Sequence, residues 1–132
     1  MNLNKMPTLR IGALEAEIPI VQGGMGVGVS LSNLASAVAN AGGIGVIATP
    51  GIGQFEPDWY ANPKDANKRA LRKEIRKAKA KTSGIIGVNL MLALSDIDDL
   101  LQCCVDEGVN VLFLGAGPVS YTHLTLPTTP YV

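Results

Sequence analysis

Three segments of this chain are apolar almost without interruption: IGVIAT at 44–49, GIIGVNL at 84–90 and VNVLFLGAG at 109–117. A strand that presents apolar side chains on both faces has to be covered on both, whereas a sheet with one wet face alternates. Between these segments the apolar residues recur every three or four positions, the period of a helix. Strand, helix, strand, helix, strand then reads as successive right-handed βαβ units, an α/β fold with a parallel sheet and helices over it.

The rest of the chain can be placed on that rhythm. Residues 8–17 form an extended lead-in with Gly12 at a turn between two small strands, and IPIVQ at 18–22 is a further strand. In SLSNLASAVANAGG, Ser30 or Ser32 is placed to N-cap a helix. Its stripe is Leu31, Leu34, Ala35, Val38, Ala39 and Ala41, and Gly42 is its left-handed C′ residue. Asn62 followed by Pro63 starts a helix over 63–81. That helix carries nine of the eleven basic residues. They suit an anionic partner or a solvated outer face. The complete apolar edge of Ala66, Ala70, Leu71, Ile75 and Ala78 favours the solvated face. A third helix spans 95–108, with Ser95 and Asp98 as a capping box and Ile97, Leu100, Leu101, Cys104 and Val105 inward.

Composition excludes several functions. Lysine plus arginine equals aspartate plus glutamate at 11 each, so nothing draws the whole chain to nucleic acid or anionic lipid. No apolar run approaches the roughly 20 residues that cross a bilayer, and the first ten residues lack the apolar stretch of a secretory signal. A cytoplasmic protein is expected. A single histidine, His123, rules out a histidine metal cluster. Cys103 and Cys104 are adjacent, so they do not face each other on a helix and read as small packing residues. After Pro118 the rhythm stops. Residues 119–132 hold four of the seven threonines and two of the three tyrosines and carry no helical stripe, which marks an aberrant or disordered tail on a domain of residues 1–118.

The chemistry has to come from the loops that follow the strands. The first, QGGMGVG at 22–28, is not a dinucleotide fingerprint, because Val29 and Leu31 occupy the positions where its third glycine belongs. A looser match at Gly43, Gly45 and Ala48 lies inside a strand, and no Walker sequence occurs. Successive strands instead end in Gln22-Gly23-Gly24-Met25-Gly26, Ala48-Thr49-Pro50-Gly51, Asn89-Leu90-Met91 and Gly115-Ala116-Gly117. Small residues bring bare backbone close to a ligand, and two neutral amides supply donors and acceptors, an inventory that suits a flat heterocycle. Each residue also has a plain local reading. Gly24 and Gly26 can make a tight turn, Met25 can fill a core, and Asn89 can cap its own loop.

PIVQGGMGVGVSLSNLASAVANAGGIGVIA, with IGVNLM and EGVNVLFLGAG, resembles the FMN-dependent nitronate monooxygenases over residues 8–118. The FMN-dependent enoyl-ACP reductases share these patterns. The resemblance implies the N-terminal half of a (β/α)8 barrel, FMN as cofactor, and an alkyl nitronate and O2 as substrates. It places Gln22, Gly23, Gly24, Met25, Gly26 and Asn89 against the flavin and Gly115, Ala116 and Gly117 on the substrate side. The family's important histidine belongs to a later strand or loop, and His123 lacks its surrounding motif, so no catalytic residue is assigned. A full barrel takes about 250 residues. Four strands of eight leave two open sheet edges, which favour self-association, and a chain that alone is inactive. The remaining readings are enoyl thioester reduction and a non-catalytic, self-associating fragment.

Overall fold

The computed structural model describes residues 6–117. Pro118, the tail at 119–132 and His123 lie outside the described residues. Strands β1 (Leu9–Ile11) and β2 (Leu14–Ala16) form an antiparallel hairpin with Leu9 opposite Ala16, and its turn passes through Gly12, as the sequence implies. Three parallel strands follow, β3 (Ile44–Ala48), β4 (Ile85–Met91) and β5 (Val111–Gly115), in the order β3-β4-β5. They are connected by α2 (Pro63–Lys81) and α3 (Ile97–Asp106), and α1 (Ser32–Asn40) precedes β3. The chain is therefore mixed α/β with helices over a parallel sheet, and the strand ends shift from the expected ones by a few residues at most.

Segment 18–22, expected as a strand, runs extended beside β3 but makes only one bridge, Val21 to Ile44. The Gln22 N–H donates to the Ile44 carbonyl at 3.0 Å, and the Ile44 N–H to the Ile20 carbonyl at 2.9 Å. The pairing then passes to a side chain. The Gln22 Nε2 donates to the Val46 carbonyl and its Oε1 accepts from the Val46 N–H, both at 3.0 Å. The amide thus occupies the ladder positions that the backbone after Gln22 would otherwise fill, and that backbone is free to turn into the glycine loop.

The sheet is covered on both faces. On one side the three helices pack Leu71, Ile75, Leu100 and Ala35 against Ile47, Val88 and Leu90, all fully buried. Burial of each large side chain contributes on the order of 2 kcal/mol relative to exposure. On the other side the hairpin lays Leu9, Ile11 and Leu14 on Ile44, Val46 and Val111. Gly45 lets α1 approach β3, since a Cβ there would collide with the Ala35 carbonyl.

The helix ends correct several expectations. Neither Ser30 nor Ser32 caps α1; Leu31 holds that position with no side-chain cap. Instead Glu74 of α2 reaches across and accepts the Ser32 N–H at 2.9 Å. The inward face of α1 is Ser32, Ala35, Ser36 and Ala39, while Leu34 and Ala41 are exposed. No capping box forms on α3. It starts at Ile97, and Asp96 at its N-cap accepts from Asn67 Nδ2 at 2.7 Å. Cys103 is buried there and Val105 only half-buried. The left-handed Gly42 and Gly108 follow α1 and α3 as expected. The α2 helix matches its expected bounds, and Ala66, Ala70, Leu71, Ile75 and Ala78 are all buried. Its outer cations meet acids: Arg69 pairs with Asp58, Arg72 with Glu107, and Arg76 takes both Glu107 oxygens at 2.8 Å.

Candidate functional site

The strands are parallel and in step, so their C-terminal ends form one rim. Ala48 pairs with Asn89, Asn89 with Phe113, and Met91 with Gly115. The loop after segment 18–22 folds onto the same rim. A Cβ on Gly24 would lie 2.7 Å from the Asn89 Cβ and 3.2 Å from its Oδ1. A Cβ on Gly26 would lie 2.9 Å from the Pro50 carbonyl oxygen. The structure thus brings together two residues 65 positions apart that the sequence analysis assigned to one site, and it does so with a contact that only glycine allows.

Hydrogen bonds hold this rim across the strand ends. The N–H and hydroxyl of Thr49 both donate to the Asn89 carbonyl, at 3.1 and 3.0 Å. The Asn89 Nδ2 donates to the Phe113 carbonyl at 3.4 Å. Its Oδ1 receives no hydrogen bond among the described residues. The loop is tied to β3 by the Ala48 N–H on the Ser30 carbonyl at 3.0 Å, and to the turn after β3 by the Val27 N–H on the Pro50 carbonyl at 2.8 Å. Ser30 is buried. Its hydroxyl accepts the Met25 N–H at 3.0 Å and donates to the Gly23 carbonyl at 3.3 Å.

Within this frame the loop is open outward. Gly23, Gly24 and Met25 are exposed, and space lies open beside the α-carbon of Gly23. Among the described residues the N–H groups of Gly24 and Gly26 find no acceptor. Val27 has φ 55°, a region that a β-branched residue rarely adopts, and its side chain is 65% exposed. Strain of this kind persists where the surroundings over-determine it, often at a ligand site. Gly115, beside Met91 and one pleat beyond Phe113, also faces open space, while its carbonyl accepts the Leu92 N–H at 2.8 Å. Ala116, with φ 56°, and Gly117, against Leu92, complete that turn.

Of the residues singled out by sequence, Gly23, Gly24, Met25, Gly26, Asn89, Gly115, Ala116 and Gly117 all fall at this end of the sheet. Gln22 is nearby, with one donor and one acceptor of its amide held by Val46; it shapes the loop's departure. Sequence reasoning assigned no site role to Ser30 or Thr49. The signal was present, a small hydroxyl immediately after an apolar run, but a helix cap explained Ser30 equally well. Burial pushes both cysteine thiols up, the setting of packing residues rather than of activated thiols. Among the described residues there is no metal-ligating cluster and no helix long and apolar enough to cross a membrane. A cleft of about 270 Å³ between Glu15, Glu17, Asn40 and Thr82 lies at the opposite end, beside the strand starts, and includes none of these residues.

A flat, polar-edged ring fits this rim. Bare glycine backbone can lie against its face, free N–H groups at Gly24 and Gly26 can meet its acceptors, and Asn89 Oδ1 can meet a donor. A phosphate finds no cation here, since 22–30, 48–56, 89–94 and 115–117 contain neither lysine nor arginine.

Comparison with known proteins bears on the same segments. FabK from Thermotoga maritima is similar in structure, with a TM-score of 0.65 and 36% identity over 85% of this chain and 31% of that one. A variant of that protein gives 0.59 and 35%, over 80% of this chain and 33% of its own. A Mycobacterium tuberculosis protein, (3aS,4S,5R,7aS)-5-hydroxy-7a-methyl-1-oxo-octahydro-1H-indene-4-carboxyl-CoA dehydrogenase, is 34% identical over 102 residues, which is 77% of this chain and 24% of that protein. The chain thus spans a quarter to a third of the length of these relatives. The nitronate monooxygenase family model matches residues 8–115, from the first strand of the hairpin to the end of β5. By that match the chain belongs to the nitronate monooxygenase family, whose members are FMN-dependent oxidoreductases.

Proposed function

We propose that this chain is the N-terminal part of a (β/α)8 flavin barrel that oxidises alkyl nitronates with O2 to carbonyl compounds and nitrite. The observation that carries the reading is the meeting of Gly24 with the Asn89 side chain at the C-terminal strand ends, the face on which barrel enzymes build their sites. Gly23 to Gly26, with the exposed Met25 among them, would hold the ring by bare backbone. Asn89 would orient the ring through its side-chain amide, and the Thr49 N–H and hydroxyl hold Asn89 by its carbonyl. Gly115 to Gly117 leave room for the substrate. When bound, FMN supplies the redox centre; the chain contributes position, hydrogen bonds and a floor that excludes water. With no cation at the rim, phosphate binding and the catalytic groups belong to the remainder of the barrel, and this chain alone turns over nothing. The outer edge of β5 has no strand partner among the described residues, and self-association through it is part of the proposal. A strictly monomeric chain across a concentration series in light scattering would contradict that part.

A second reading has its own support. The Mycobacterium tuberculosis relative is named as a dehydrogenase of a CoA thioester, which favours redox chemistry on a thioester, and flavin-dependent reduction of an enoyl thioester is the reading of that kind. Flavin fluorescence titration of the 132-residue chain tests the shared reading: quenching that Asn89→Ala weakens about tenfold supports it, and absence of quenching overturns it. Oxygen uptake with a nitronate, set against NADH oxidation with a crotonyl thioester, separates the two reactions in a longer natural chain that carries this segment.

A further inference from the structure

The glycine loop needs a definite shape to aim its free N–H groups, and its own sequence resists one. Four glycines in six residues widen the unfolded ensemble, and Val27 with φ 55° is unfavourable on its own. Few bonds inside the loop oppose this, and they centre on Ser30. Its N–H donates to the Met25 carbonyl at 2.9 Å, closing the loop with backbone. Its hydroxyl then accepts the Met25 N–H and donates to the Gly23 carbonyl, so one buried side chain fixes both ends of Gly23–Met25. The Ala48 N–H on the Ser30 carbonyl anchors the clasp to β3. With the Met25 N–H turned inward to Ser30 and the Val27 N–H held by Pro50, the N–H groups of Gly23, Gly24 and Gly26 find no acceptor among the described residues, and Gly24 and Gly26 flank the bonded Met25.

We propose that Ser30 is the positioning residue of the ligand loop: its hydroxyl, which touches no ligand, sets the backbone of 23–26 so that Gly24 and Gly26 face the flat ring. This rests on the flavin reading of the rim. It assigns Ser30 a role that its place before α1 does not suggest, since it caps nothing there.

Two measurements on the 132-residue chain test it, with riboflavin as the probe because it carries the ring without the phosphate. In Ser30→Ala the Met25 amide should exchange with deuterium at least tenfold faster, while the amides of Ile47 and Val88 keep their wild-type rates. Riboflavin affinity should fall about tenfold. Ser36→Ala is the control: it also removes a buried hydroxyl, but one bonded only to the Asn33 carbonyl within α1, and it should change neither quantity. Unaltered Met25 exchange in Ser30→Ala, unaltered affinity, or an equal loss in Ser36→Ala overturns the proposal. If the wild-type chain itself fails to bind riboflavin, the flavin reading falls and takes the proposed ligand with it. Met25 exchange then still decides whether Ser30 sets the loop.

Discussion

At the strand starts, the face of the sheet turned away from the helices is closed. The hairpin lays Leu9, Ile11 and Leu14 over Ile44 and Val111, and Ile44 is 1% exposed. At the strand finishes the same face is left to Asn89, Phe113 and Gly115, beside a glycine loop with unpaired N–H groups and a strained Val27. One end is packed apolar surface; the other is backbone held in place by hydroxyls and an amide. Stability resides at the first, and the proposed function puts ligand recognition at the second, the division expected of a parallel α/β sheet, whose ligands gather at the carboxyl ends of its strands.

The largest effect should come from breaking the packed end. Ile44→Ala removes a buried side chain between hairpin and sheet and should cost about 2–5 kcal/mol in urea unfolding. Asn89→Ala, at the other end of the sheet, loses one long hydrogen bond and should cost about 1 kcal/mol or less. Equal losses for the two substitutions would mean that the ends are not specialised.

Gly24→Ala sharpens the contrast from the other side. Its methyl would meet the Asn89 Cβ at 2.7 Å and Cγ at 3.0 Å, so the amide or the loop has to move. The cost in stability should be modest, about 1–2 kcal/mol, while riboflavin affinity should fall more than tenfold. A Gly24→Ala chain that binds riboflavin like the wild type would leave Gly24 as a turn residue only.

How much of this was legible in the sequence follows the same division. The α2 helix was readable in full, because Asn62-Pro63 starts it and its apolar edge keeps the helical period. The two later strands were readable because both their faces are apolar. The pleat then put Asn89 at a strand end, where its alignment with Gly24 could be expected from a parallel sheet alone. What escaped was long-range. Nothing local to Ser32 indicates that Glu74, 42 positions on, would take its N–H. The start of α3 has the same origin, since Asp96 holds the N-cap in place of Ser95 and its carboxylate is claimed by Asn67, 29 positions back. Segment 18–22 has strand composition, yet the Gln22 side chain ends its pairing. Leu34 kept the helical period but faces outward, because the small Ala35 and Ala39 make the close contact with the sheet.

Glu74 offers a smaller test. Burial raises its pKa, but hydrogen bonds from Ser32 and the charge of Lys77 outweigh that, and the carboxyl sits below its ordinary 4.5. A lowered folded-state value contributes stability that is present above the unfolded pKa and lost as pH falls through the folded one. Stability should therefore decline as pH drops below about 4.5. Glu74→Gln keeps an acceptor for Ser32 but not the charge, so its loss at pH 7 should be about 0.5–1 kcal/mol and should shrink in acid. A pH profile parallel to wild type would remove Glu74 from the account. Glu107, lowered chiefly by the hydrogen bond from Arg76, adds to the same acid decline and stays in place in both chains.

The smallest expected effect is the most discriminating. Free FMN differs from riboflavin by a phosphate carrying nearly two negative charges at neutral pH. A site that includes a lysine or arginine, or a helix start with free N–H groups, binds that group more tightly, and the preference weakens with salt. The four strand-end segments of this chain hold no such cation, and the start of α1 already faces the Glu74 carboxylate, which accepts the Ser32 N–H and repels a second anion. The rim should therefore bind FMN and riboflavin within about twofold of each other, independently of ionic strength. A tenfold, salt-sensitive preference for FMN would mean that a cation reaches the rim. Lys64, in the first turn of α2 and bonded to the Ser95 carbonyl at 3.2 Å, would be the residue to replace, and loss of the preference in Lys64→Ala would move phosphate recognition into this part of the barrel.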